Sequence, residues 1–568
     1  MPKRQIGIIS STTKNSGRWW DLIKSNKKKK WDKLIHNGPL FPPVYEPLPA
    51  NVKIKHKGVL MNLDKTSINN IFNVTSEEAA LFYAQALETN DRTISEGKKL
   101  VSEDIRKDKT FNTNFLRDWN KILRKSRISV KKLSDIDFSA MITFIEQRRD
   151  KKKLNKSSMT KQDKELVKLR KEEIKKVYGY ALFDDVMLPI TNNIEPPSLF
   201  KGHGASKERG RIKARITPKD VTLNISRGDT PECFTNGNKC KWAGVIHDKN
   251  AAWLSRWKNP ITLKTVYTKI NRNFDPWVGQ NDYRKFEKAR KLDKKINTIR
   301  KKYKKDFKIA KKQELAAAVY LLDAIAIRPG TEQGDEGTRG LTTLKCENIK
   351  WLPNNKITIS FVGKSSIEYD KTVEIHPDVY KILKKGCVKP SDQVFPNITA
   401  RTLNEYLGSL SKGLTAKVFR TWKASSEVSK ALNKVKIKKN ADLSDKKSAF
   451  VKANLMAALA LNHKRMTDNS SKIKKIKDKI KLLKKQLRAC KTQTQIKNKK
   501  TRIVTEKLKL SEAENNVNIG TSKANYIDPR VIVSWAKKND VPIEAIYKTV
   551  NDRKKFIWAM ETASTWSF

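Results

Sequence analysis

Acidic side chains, histidine and long apolar runs are all scarce in this chain of 568 residues. Asp and Glu number 59 against 121 Lys and Arg, and the formal net charge is +62. Internal ion pairing cannot neutralise such an excess, so a polyanion is the expected partner, held by counterion release and loosened by salt. The richest apolar stretch, 315–327, is interrupted by Asp323 and is too short to span a bilayer, so no membrane partner is expected. Met1-Pro2-Lys3-Arg4 leads into polar sequence without an apolar signal region, and the expectation is a cytoplasmic or nuclear location. The five cysteines, Cys233, Cys240, Cys346, Cys387 and Cys490, are scattered and odd in number, which favours free thiols. Cys233 and Cys240 have His247 nearby but lack paired C-x-x-C spacing and a fourth ligand, so no metal site is expected. Gly363-Lys364-Ser365 has the ending of a phosphate-binding loop, yet Thr358 stands where the upstream glycine belongs, which argues against an NTPase.

The 38% of hydrophobic residues is ample for folded lobes, and the length requires several of them. Residues 1–35 read as a basic arm with a Lys27-to-Lys30 run. Residues 36–280 read as a mixed α/β region. It opens with the proline-rich 38–49, which is extended and packed on something else. Helical patterns follow at 76–87, 113–123 and 163–177, and strand patterns near 221–225 and 253–257. Residues 281–466 read as mainly helical. Helix 312–328 is closed by Pro329-Gly330 with Arg328 at its edge, a β-hairpin over 356–369 carries Lys364 at its tip, and helices return at 403–410, 416–425 and 448–465.

Residues 467–513 differ in kind. Ile473, Ile476, Ile480, Leu483 and Leu487 repeat at intervals of 3, 4, 3 and 4, and a weaker series at Ile496, Ile503 and Leu510 follows a break near Thr492. An antiparallel coiled-coil hairpin is predicted. Residues 470–512 hold 16 Lys or Arg and 3 acidic residues, so this hairpin belongs near phosphates. Residues 514–568 read as a small helical domain, with helix starts at Asp528-Pro529, at Asp540 with Pro542, and at Asp552.

Tyr526 lies just ahead of the Asp528 helix start, whose N-terminus favours a phosphate. Its phenol is a candidate nucleophile toward a phosphodiester, a reaction that would keep the bond energy in a phosphotyrosine ester. An ordinary tyrosine is ionised to roughly one part in a thousand near neutral pH, so cationic help is required. Charge on the non-bridging oxygens suits arginine, and a lysine or histidine can protonate the leaving oxygen. Arg328, Lys364, Lys417 with Arg420 on one helical face, and His463 are candidates. Composition and spacing alone do not select them from 121 basic residues.

Order and local wording do. Leu414-Thr415-Ala416-Lys417-Val418-Phe419-Arg420-Thr421, Ser522-Lys523 with Asn525-Tyr526, Asp528-Pro529-Arg530, Gly363-Lys364, Leu461-Asn462-His463 and the proline-rich 38–49 resemble the nuclear type IB DNA topoisomerases of eukaryotes. The resemblance runs from Trp19-Trp20 to Phe568, and the family's long charged N-terminal tail has no match. It implies a mixed α+β multi-domain clamp, monomeric, around double-stranded DNA. Residues 36–280 would be the DNA-binding cap, 281–466 the catalytic lobe, 467–513 the linker and 514–568 the domain carrying the nucleophile.

The catalytic set carries over as Arg328, Lys364, Arg420, His463 and Tyr526, and the DNA contacts as Lys201, His203, Lys417, Asn525 and Ser365. A 3′-phosphotyrosyl intermediate, strand rotation and religation are implied, with no ATP and no obligatory metal, divalent cations at most stimulating. The expected setting is the nucleus, or a viral factory or virion if a large DNA virus encodes the chain. Two departures stand beside the expected cleavage site, His203 for Arg and Ser365 for Asp, and imply poor trapping by camptothecin-type poisons. A tyrosine recombinase is the competing enzyme, disfavoured by the hairpin between His463 and Tyr526. A non-catalytic DNA-packaging protein explains the charge but not the ordered motifs.

Overall fold

A computed structural model describes residues 29–96, 104–184, 186–202, 206–235, 237–330, 338–363, 367–435, 437, 441–464 and 469–568. The chain divides into two units, Met1–Asp275 and Pro276–Phe568. The division falls slightly before the 280 read from sequence, because a proline at the first helical position starts the long helix Pro276–Asp306 there.

In the first unit the helices Ser76–Ser95 and Lys109–Leu123 bury an aromatic stack, Tyr83 on Phe115 at 4.6 Å and Phe115 on Trp119 at 5.5 Å between ring centres. Each starts where a side chain accepts a hydrogen bond from the first turn, Thr75 in one case and Asp108 in the other. A seven-stranded sheet runs in the order Leu34–Ile35, Tyr180–Phe183, Val186–Thr191, Thr265–Ile270, Trp253–Lys258, Thr222–Asn224, Gly244–Ile246, and only its last pair is parallel. The proline-rich segment is extended as expected, and Leu40 donates to Asn192 O at 2.8 Å while accepting from Ile194 N at 3.0 Å. The charged helix Lys161–Tyr178 buries none of its residues.

His36 is fully enclosed in this unit. Gly38 N donates to its Nδ1 at 3.1 Å, so Nε2 carries the proton and donates to Asn224 O at 3.0 Å. Burial lowers its pKa to about 4, only partly opposed by the Asn224 carbonyl. The folded pKa lies below the unfolded value of about 6.5, so this contribution to stability is complete above pH 6.5 and is lost as pH falls toward 4. It amounts to about 3 kcal/mol. Denaturant unfolding at pH 7.5 and 4.5 checks it: His36→Gln should remove that part of the acid destabilisation, and parallel losses in the two proteins contradict the assignment.

In the second unit the helices Pro276–Asp306, Gln313–Ile325, Ala400–Leu410 and Ala416–Lys434 enclose one core with the antiparallel sheet Ile349–Leu352, Lys356–Gly363, Ile367–Glu374. The Ala416–Lys434 helix also enters a second core with Leu443–Ala460, the C-terminal helices Pro529–Lys538 and Ile543–Ile546, and the buried rings of Tyr547 and Phe556. Residues 514–568 therefore share their apolar interior with the Ala416–Lys434 and Leu443–Ala460 helices. The hairpin forms from Ser470–Arg488 and Gln493–Glu514, with Ile476, Ile480, Leu483 and Ile503 buried along the seam. Thr492 caps the second helix, and buried Glu506 is held by Lys479 at 2.9 Å and Lys509 at 3.0 Å. Among the described residues no helix is long and apolar enough to cross a membrane.

Several local expectations are corrected. The apolar helix ends at Ile325 because Ala326 adopts a left-handed conformation, φ 50°, which leaves Arg328 three residues past the helix. The helix predicted over 448–465 spans Leu443–Ala460, and the left-handed Asn462, φ 52°, turns the chain into His463. Asp540 is a left-handed turn residue, and Pro542 precedes the four-residue helix. Thr549 caps the following helix, with Asp552 donating its backbone N–H to the Thr549 hydroxyl. Cys346 and Cys387 form a disulfide instead of staying free. Backbone bonds from Cys346 N to Asp392 O and from Glu347 N to Pro390 O, both 2.9 Å, bring those segments together. Cys233 and Cys240 face each other across a two-stranded ladder with sulfurs 2.7 Å apart, and His247 Nδ1 is engaged with Ile225 O.

Candidate active site

Four of the five residues singled out from sequence converge in the second unit, each delivered by the end of a different element. Arg420 lies on the first turns of the Ala416–Lys434 helix, which starts at Thr415. Its guanidinium is buried and donates to two backbone carbonyls, Ala326 O through Nη1 and Leu461 O at 3.2 Å through Nη2. Ala326 is two residues before Arg328, and Leu461 is two before His463. One side chain thus ties together the two turns that present the other two groups. Of the five N–H donors in its fixed fork two go to these carbonyls, and the guanidinium also hydrogen-bonds the Tyr526 phenol. Its Nε, buried, has no protein partner.

The His463 turn is pinned on three sides. His463 N donates to Ala458 O at 2.9 Å, Asn462 Nδ2 to Glu368 O on the hairpin strand at 3.2 Å, and Asn518 N to His463 O at 2.6 Å. Asn518 caps the short helix Ile519–Asn525, and Tyr526 follows that helix directly. The imidazole centre is 5.1 Å from the Tyr526 ring, and Arg420 Cζ is 5.2 Å from it. Asp528 then caps Pro529–Lys538 by accepting from Arg530 N at 2.9 Å, as its sequence suggests. Arg530 pairs with Asp528 and Glu287, and lies 4.7 Å from the Trp566 ring centre. The segment after Tyr526 is thereby fastened to the Pro276–Asp306 helix.

The electrostatics suit an anion. Burial opposes ionisation of the Tyr526 phenol, but Arg420, Arg328 and Lys417 outweigh it and hold the pKa below the ordinary tyrosine value. Burial lowers the Arg420 pKa, with Tyr526 opposing and Arg328 adding to the effect. Burial, then Arg420 and Arg328, lowers His463 to about pKa 3, and neither of its ring nitrogens has a protein partner. An uncharged imidazole with two free nitrogens beside two guanidinium groups is built to donate one N–H to an incoming oxygen. Since the folded pKa is depressed, the neutral form's stabilising contribution is complete above about pH 6.5 and is lost as pH falls toward 3. Nitrogen NMR of histidine-labelled protein should show His463 uncharged from pH 7.5 to 5, whereas a titration near 6.5 contradicts this.

Arg328 and Arg420 line a cavity of about 30 Å³ with Arg339, Tyr369, Leu461, Asn462 and the strand ends Gly363 and Ile367. Those strand ends bracket the hairpin tip. Lys364, Ser365 and His203 lie outside the described residues. Lys417 is exposed one turn before Arg420, and Asn525 is half-buried, its side chain donating to Thr521 O at 3.2 Å. Lys201 is exposed in the first unit and is not among the residues gathered here. Arg339 and Tyr369 were not singled out from sequence. Tyr369 alternates inward on a strand like any core tyrosine, and Arg339 carries no local signal. Among the described residues no cluster of three metal-ligating side chains occurs.

Three sequence families match almost the whole chain: "Eukaryotic DNA topoisomerase I, DNA binding fragment" over residues 29–270, "Eukaryotic DNA topoisomerase I, catalytic core" over 275–494, and "C-terminal topoisomerase domain" over 485–568. The chain is 34% identical over 586 residues to DNA topoisomerase 1 of Caenorhabditis elegans, covering 96% of this chain and 69% of the relative. It is 35% identical to DNA topoisomerase 1 beta of Arabidopsis thaliana, covering 96% and 60%, and 31% identical to human DNA topoisomerase 1, covering 96% and 72%.

Proposed function

Because this chain belongs to the eukaryotic DNA topoisomerase I family, we propose that it relaxes supercoiled duplex DNA by cutting one strand, letting it turn about the other, and resealing it. The observation that carries the mechanism is the convergence of Tyr526, Arg420, Arg328 and His463 around a phenol whose pKa is lowered. The Tyr526 oxygen attacks phosphorus, forming a P–O bond to the 3′-phosphate and losing its proton to water. The P–O5′ bond breaks, and Lys364 supplies the proton to the departing 5′-oxygen. Arg328 and Arg420 take the charge on the non-bridging oxygens, and neutral His463 donates a hydrogen bond to one of them. Resealing reverses each step.

The phosphotyrosine ester retains the energy of the broken diester and stored torsion drives the turning, so neither ATP nor a metal enters a step. The chain is proposed to act as a monomeric clamp on the duplex, with residues 29–270 matching the DNA-binding fragment and 275–494 the catalytic core, and with Lys201, His203, Lys417, Asn525 and Ser365 as contacts to DNA. The setting is the nucleus, or a viral factory or virion if the gene belongs to a large DNA virus. Supercoiled plasmid incubated with a chelator and without ATP should relax in single-link steps. Exchanged or integrated products identify a recombinase instead, and retardation alone a packaging protein.

A further inference from the structure

We infer that Lys285, Ser425 and Lys555 are positioning residues that suspend the main chain of Tyr526, an inference that rests on Tyr526 being the nucleophile. The helix Ile519–Asn525 has only seven residues, and its last carbonyls point away without helical partners. Three consecutive carbonyls are each taken by a side chain from a different helix. Ala524 O accepts from Lys555 Nζ, Asn525 O from Lys285 Nζ at 3.1 Å, and Tyr526 O from Ser425 Oγ at 3.1 Å. Ser425 Oγ also accepts from Asp528 N at 2.9 Å, so one hydroxyl grips the chain on both sides of Ile527.

The donors come from 31, 240 and 101 residues away, in the helices Val550–Lys555, Pro276–Asp306 and Ala416–Lys434. Water or a left-handed cap normally satisfies such carbonyls, so three long-range side chains exceed what ending a helix requires. Two ammonium groups at a helix C-terminus also match its dipole. The lysines are themselves fixed. Lys285 Nζ is 2.9 Å from Asp282 Oδ1 and 4.0 Å from the Phe286 ring centre, and Lys555 Nζ is 4.7 Å from that of Phe556. Ser425 is fully buried and sits five residues beyond Arg420 on the same helix. A single rigid element therefore holds both the nucleophile's main chain and the guanidinium that meets the phosphate.

The Tyr526 ring has to stay free to form and release an ester, so its precision comes from the backbone. Once the ester forms, that backbone also anchors the DNA end while the rest of the duplex turns. Displacing reacting atoms by about 1 Å costs up to roughly 100-fold in rate.

Ser425→Ala, Lys285→Met and Lys285→Arg are compared with the unaltered chain in single-turnover formation of the covalent adduct on a partial-duplex suicide oligonucleotide. Each is also tested for DNA affinity in a Tyr526→Phe background and for thermal stability. Ser425→Ala and Lys285→Met should each slow adduct formation by about tenfold or more. Their DNA affinity should be unchanged, and the pH profile should keep its shape because Arg420 and Arg328 still set the phenol. Lys285→Arg, which retains a donor, should recover most of the rate. Wild-type rates in folded Ser425→Ala and Lys285→Met overturn the inference alone. So does a loss that tracks DNA affinity or melting temperature, which marks a merely structural role. An unaltered chain that forms no adduct overturns the assignment of the nucleophile and this inference with it.

Discussion

Tyr526→Phe should abolish both the covalent adduct and plasmid relaxation, a fall of about 10⁴-fold or more, while leaving salt-sensitive DNA binding intact. The substitution removes one oxygen from a ring held by His463 at 5.1 Å and Arg420 at 5.2 Å, and the main-chain contacts of the residue are untouched. Folding is accordingly spared. What disappears is the oxygen proposed to attack phosphorus. Gel shift across a salt series measures the binding, and denaturing electrophoresis of protein with labelled DNA measures the adduct. A Tyr526→Phe protein that still relaxes plasmid shows that the strand is opened by some other route.

Arg420→Lys should have the next largest effect, with single-turnover cleavage reduced by about 10²–10³-fold. Lysine keeps the charge, and near Tyr526 the phenol retains some of its help. It cannot reproduce the fork. The guanidinium simultaneously reaches Ala326 O, Leu461 O and the Tyr526 ring, and a single ammonium nitrogen cannot span these. Two buried carbonyls lose their donor, and the turns bearing Arg328 and His463 lose their tie, so stability should fall by about 1–3 kcal/mol as well. Thermal denaturation and adduct kinetics on the same preparation separate the two effects. Cleavage within a few-fold of wild type contradicts the role given to Arg420.

Features built from neighbours in sequence were legible before any coordinates. The Asp528-Pro529 cap depends on one side chain and the next turn, and the hairpin seam on the spacing of Ile473, Ile476, Ile480, Leu483 and Leu487. The identity of the site residues came from their order and wording, since 121 basic residues offer too many alternatives for charge alone to choose. Features set by distant contacts were not legible. The left-handed Ala326 that ejects Arg328 from its helix is stabilised by Arg420, 94 residues away. The Cys346–Cys387 bridge joins positions 41 apart that only the fold brings together. Nothing near Ser425 or Lys285 in the sequence announces a bond to the backbone at Tyr526. The neutral state of His463 is likewise a product of burial beside two arginines, which no local pattern encodes.

The residue that becomes joined to DNA is the central claim. Trapping the unaltered protein on a suicide oligonucleotide, digesting both components and sequencing the modified peptide by mass spectrometry tests it directly. The account expects a nucleotide linked through its 3′-phosphate to Tyr526 and to no other residue. A 5′-linked nucleotide, attachment to a different side chain, or relaxation of plasmid with no covalent adduct at all would contradict it.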